Sequence, residues 1–162
     1  MLKNKLKRTQ GFTIIEVLIV LAIAGLILLI VFLAVPALQR NSRNTQVKNA
    51  AASILGAVNE FENNNNGQLP TLVGPVAADG TVPVTGAAGT APATAKVQAG
   101  YIVAIGAAMP ASTVTGNFVV NLNHKCNNNA FAAVATPRAV AIGYNVETGN
   151  GTTPTANQCT EE

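Results

Sequence analysis

Residues 17–35 make an unbroken run of 19 residues with no charged or strongly polar side chain, and this run limits what the chain can fold into more than any other stretch. As a helix rising about 1.5 Å per residue it spans roughly 28 Å, close to the hydrocarbon thickness of a bilayer. Four basic residues, Lys3, Lys5, Lys7 and Arg8, come before it, and residues 1–15 contain no acid. The positive-inside bias therefore keeps the N-terminus in the cytoplasm and sends the remainder outward. Glu16, at the head of the run, is the anomaly. A carboxylate at the bilayer centre costs on the order of 2.5–3.5 kcal/mol, less near the interface, so an ordinary signal anchor has no use for it. No Lys or Arg lies between Phe12 and Gln39, so its partner is a backbone amine or a group on another molecule.

The segment Gly11-Phe12-Thr13-Ile14-Ile15-Glu16, behind a short basic leader and ahead of the apolar run, resembles the class III signal of type IV pilins and the related pseudopilins. The resemblance covers about a quarter of the chain closely. It implies that a membrane prepilin peptidase cuts between Gly11 and Phe12 on the cytoplasmic side and N-methylates Phe12, leaving the apolar helix attached. It further implies that Glu16 pairs with the N-terminal amine of a neighbouring subunit and sets register during assembly. The partners that follow are other copies of the chain in a helical filament, an assembly machinery with cytoplasmic ATPases, and the inner membrane before assembly.

The formal charge of +3 says little about ligands. Residues 1–11 carry four of the ten basic side chains, so the processed chain has six basic against seven acidic groups, a formal balance of −1 before its new amine is counted. Beyond the helix only Lys96, Lys125 and Arg138 are basic, which gives no patch for nucleic acid. Cys126 and Cys159 both fall outside the membrane on this topology. An even count in an oxidising compartment favours a disulfide, the alternative being two unpaired small apolar residues. A C-terminal disulfide loop is also what the pilin resemblance implies.

Gly25 and Pro36 are the helix breakers in the apolar segment, and a bend or local melting is expected over 32–36. After the proline, Val47, Ala51, Ile54, Val58 and Phe61 recur at spacings of four, three, four and three, the stripe of an amphipathic continuation of the same helix. It should end near Phe61 or Glu62, in an Asn-rich tract closed by Gly67. Residues 74–95 hold seven Gly or Pro among small side chains and read as a long loop with room for one short strand. Tyr101, Val103 and Ile105 then alternate, as do Phe118, Val120 and Leu122, and Val140, Ile142, Tyr144 and Val146, with a shorter piece over 131–135. Short strands joined by turns predict an antiparallel meander across the helix stripe.

The expected architecture is α+β, the type IV pilin fold. Its parts are a leader over 1–11, a membrane or filament-core helix over 12–36, its amphipathic continuation over 37–62, a loop over 63–95, and a sheet with the disulfide loop over 96–162. No nucleophile elbow, phosphate loop or close carboxylate pair outside Glu161-Glu162 is present, and His124 beside Lys125 reads as a solvated histidine in a polar turn. No enzyme activity, cofactor or metal is expected. Asn150-Gly151-Thr152 fits a glycosylation sequon. The function implied is that of a major pilin, a precursor in the inner membrane that becomes an extracellular filament. The alternatives are a secretion pseudopilin, which in that family holds calcium with clustered acids and commonly lacks the disulfide, and a minor tip pilin acting as adhesin.

Overall fold

The structure, a computed structural model, describes residues 11–111, 115–134, 138–150 and 153–161. The basic leader and Gly151 and Thr152 of the glycosylation sequon lie outside these residues. One helix, α1 (Ile14–Asn64), and nine strands make up the described chain. The strands are β1 (Leu72–Val73), β2 (Thr81–Thr85), β3 (Ala93–Lys96), β4 (Ile102–Ile105), β5 (Asn117–Leu122), β6 (His124–Asn127), β7 (Ala130–Ala133), β8 (Val140–Asn150) and β9 (Thr153–Glu161). This is an α+β arrangement consistent with the pilin fold. The chain divides into two units, Met1–Gln39 and Arg40–Glu162.

In the first unit, large apolar side chains from Phe12 to Leu38 stand in the open, Phe12 at 90% and Leu33 at 74% exposure. A soluble helix hides such a stripe; here it runs all the way round, the mark of a segment built for lipid or for other helices. α1 is long and apolar enough to cross a membrane. Its helical pattern continues through Gly25 and Pro36, so the melting expected over 32–36 is not a property of the chain by itself.

The second unit starts from the stripe that the 3–4 spacing set out. Val47, Ala51, Ile54, Val58 and Phe61 are all buried, joined by Ala50 and Ala57. They form one core with Val73, Val82, Val84, Val103, Phe118, Val120, Val140, Ile142 and Tyr144. Each such valine, isoleucine or phenylalanine removed from water contributes about 1.5–3 kcal/mol before entropy is charged against it. The helix closes two residues beyond the expected point. Gly67, with φ of 77°, donates its N–H to the Glu62 carbonyl at 2.7 Å, a glycine-dependent C-cap. The Asn65 side chain then reaches Ala91, donating to its carbonyl and accepting its N–H, and so fixes the β2–β3 loop against the helix end.

Two expectations about the sheet are corrected. The stretch read as a long loop contains an antiparallel three-stranded sheet, β1-β2-β3. The later strands do not form a simple meander either, because the four-stranded sheet runs β4-β5-β8-β9 with β4 parallel to β5. Parallel neighbours need a crossover, and the segment after Ile105 begins it. Asn121 and Asn145 fasten that segment, donating amide N–H groups to the carbonyls of Ala107 and Ala111. The piece expected over 131–135 is β7, which pairs with β6 in a two-stranded hairpin.

The β8–β9 hairpin is tied to the start of the second unit by charge as well as packing. Arg43 grips Glu147 through Nε and Nη2, both at 2.7 Å, while Asn44 exchanges two hydrogen bonds with the Glu147 backbone. The guanidinium holds the Glu147 carboxyl below the usual carboxylate range. A depressed native pKa means that this contribution is present above the ordinary value near 4.5 and is lost as pH falls through the native value. The Arg43 side chain is half exposed, so the pair is worth no more than about 1 kcal/mol. Glu147→Gln should therefore lower the unfolding midpoint slightly at neutral pH and leave it unchanged at a pH well under 4.5. Thermal unfolding of the detergent-solubilised chain at several pH values measures both limbs, and a constant difference across the range would refute the ion-pair account.

Candidate functional site

The site implied by the sequence is the head of α1. Gly11 has open space around it, with no atom within 4 Å of the position a Cβ would take. Phe12 is almost fully exposed. A small residue followed by an exposed one, just ahead of a helix, is geometry that a peptidase can approach from the side.

Glu16 has a partner that the sequence reading overlooked, within its own chain. Its Oε2 accepts the Thr13 backbone N–H at 2.8 Å and the Thr13 hydroxyl at 2.8 Å, and the Glu16 N–H lies 3.3 Å from Thr13 Oγ1. Thr13 is the residue before the first helical position and Glu16 the third position of the helix, so the pair is a capping box that satisfies two of the orphan donors at the helix start. The signal was present: Thr-x-x-Glu before an apolar run is the sequence signature of that motif. The Thr and the Glu of this segment are thus one local structure. The carboxylate carries charge beside the positive end of the α1 dipole, which favours it there.

The other predicted residues are placed as follows. Gly25 lies inside α1 with nothing within 4 Å of a hypothetical Cβ, and Pro36 lies further along the same helix. Cys126 and Cys159 form a disulfide, with Cα atoms 5.6 Å apart and a separation of 33 positions in sequence. It joins β6 to β9, and the Cys126 N–H also donates to the Glu161 carboxylate. His124 is on β6 and not in a turn. Its Nδ1–H donates to the Leu122 carbonyl at 3.0 Å, and its ring meets Phe131 edge-on. Among the described residues no three of His, Cys, Asp and Glu come together.

An exposed apolar helix opened by a capping box fits a membrane-anchored precursor. Residues 6–32 match the family model of the prokaryotic N-terminal methylation motif, the class III prepilin signal of type IV pilins and pseudopilins. The motif implies processing by prepilin peptidase and, in general terms, pilus assembly. No curated protein and no solved structure matches the chain.

Proposed function

We propose that this chain is the major structural subunit of a type IV pilus filament. The observation that carries the reading is the methylation motif on a helix whose apolar side chains, Phe12 to Leu38, none of the described residues covers. As a precursor the helix sits in the inner membrane. Cleavage between Gly11 and Phe12 frees an amine at Phe12, and the subunits then exchange lipid contacts for contacts among neighbouring helices. Such a core holds by packing, because lipid tails are as apolar as the side chains they leave. Glu16 adds register, since a misplaced acid in that core is penalised. Extension and retraction are assigned to cytoplasmic ATPases. The Cys126–Cys159 bond favours a pilin over a pseudopilin, whose family usually relies on calcium. Chelator-sensitive folding would reverse that preference.

The test is intact-mass and N-terminal peptide analysis of the protein from its native cells, with sheared surface filaments separated from membranes. The expected result is a terminus at methylated Phe12 and a mass lowered by the two hydrogens lost to the disulfide, abundant in the sheared fraction. A chain that retains its first residues and stays in the membrane fraction would remove the filament reading.

A further inference from the structure

Beyond the apolar half of α1, the large apolar side chains that stand exposed among the described residues are Leu72 at 50%, Ile102 at 61% and Ile105 at 38%. They are not scattered. Leu72 belongs to β1 and the two isoleucines begin and end β4, and each strand is the outermost of its sheet. The two edges meet closely, since a Cβ on Gly74, just after β1, would collide with the Val103 carbonyl oxygen. A cavity of about 460 Å³ opens along this seam, lined by Leu72, Pro75, Ala104 and Ile105 among others. The two edges lie against each other, so what the seam presents is its exposed apolar side chains, which invite a partner. Its lining has no charged residue and one proline, Pro75.

The surrounding sequence says what kind of partner fits. Between Glu62 and Lys125 the chain has two charged residues, Asp79 and Lys96. They neutralise each other in an ion pair of 2.7 Å. A surface this poor in charge offers nothing to steer a charged ligand and nothing to repel an identical surface. The patch is also small. Three such side chains expose on the order of a few hundred Å², well short of the roughly 1,200–2,000 Å² that holds a stable pair together. It suits subunits already tethered side by side through their helices, where the effective concentration reaches the millimolar range or so and a weak contact persists.

We propose that the β1–β4 seam is a contact between the folded units of neighbouring copies of this chain, with Leu72 and Ile102 covered by an uncharged segment of the next copy. The proposal rests on the filament reading above and adds to it the face that is buried. Because both native cysteines are bonded, Ile102→Cys introduces the one reactive thiol. Maleimide labelling is compared between detergent-solubilised membrane subunits and sheared filaments from the same cells. Labelling in subunits, slowed by at least about tenfold in filaments, is the expected result; equal rates overturn the contact. Ile102→Lys should keep cleavage at Gly11–Phe12 and the disulfide mass, with filament yield lowered about tenfold; wild-type yield overturns it as well. A wild-type chain missing from the sheared fraction would overturn the filament reading itself. Filaments that form with the introduced thiol still exposed leave that reading standing and remove only this seam.

Discussion

Replacing both Cys126 and Cys159 by alanine is expected to lower the stability of the folded unit by about 3–4 kcal/mol and its melting temperature by roughly 10–20 °C. The estimate follows from the loop. A bond closing a loop of 33 residues removes that much chain entropy from the unfolded state. The native position of the bond argues against a smaller effect. β9 is the outermost strand of its sheet and has β8 as its ladder partner, so the disulfide is the covalent link holding it to the β6–β7 hairpin. The double variant avoids leaving a lone thiol. Thermal unfolding of the detergent-solubilised chain measures the total, and hydrogen exchange over β9 measures the local part, expected to rise first along residues 156–161. A loss under about 1 kcal/mol would mean that the unfolded chain is already compact, or that the ladder alone anchors the strand.

The helix and the later strands were legible because their side chains obey one period each. The five residues of the helix stripe are buried to the last one, and Phe118, Val120, Ile142 and Tyr144 fill the core as their alternation predicts. The first sheet was hidden by its composition. β2 reads Thr-Val-Pro-Val-Thr, and a central proline ordinarily argues against a strand. Here Val82 and Val84 alternate inward on either side of it, and Pro83 still offers its carbonyl to the Gly74 N–H at 2.9 Å. β3 reads Ala-Thr-Ala-Lys, with Ala93 and Ala95 buried, so its inward face carries only small side chains and no strong apolar signal. The helix end comes close in the loop after β2, at Gly86, where a Cβ would lie 2.5 Å from the Phe61 ring. β9 has almost no apolar residue to announce it and is a strand by pairing. The parallel β4–β5 pair depended on a crossover held by Asn121 and Asn145, and asparagine in a strand carries no pattern that announces such a role.

At the head of α1 the sequence reading left out one local relation. Glu16 was seen as an acid in search of a distant partner, when the nearest donors sit three residues before it on Thr13. Hydrophobic periodicity is blind to that relation, whereas helix-capping chemistry is not. The consequence is mechanistic. In the isolated chain Glu16 is not a bare charge, so any neighbour's amine that claims it competes with a capping box worth about 1 kcal/mol.

Glu16→Gln separates the two roles and is expected to have the largest effect on assembly. The amide keeps an oxygen for the Thr13 donors, so the cap survives while the charge goes. Cleavage at Gly11–Phe12 and the amount of precursor in the membrane should match the wild type. Sheared filament should fall by at least about tenfold, because an acid misplaced in an apolar core is disfavoured by on the order of 2.5–3.5 kcal/mol and that discrimination between registers disappears with the charge. Thr13→Val is the matched control. It keeps the size and the backbone N–H of Thr13, removes the hydroxyl that bonds Oε2 at 2.8 Å, and leaves the carboxylate in place. Filaments from Thr13→Val close to wild-type yield, with few from Glu16→Gln, assign the charge to register. Equal losses in both variants would mean that assembly needs the cap as much as the charge, and full yield from Glu16→Gln would remove the charge from assembly altogether.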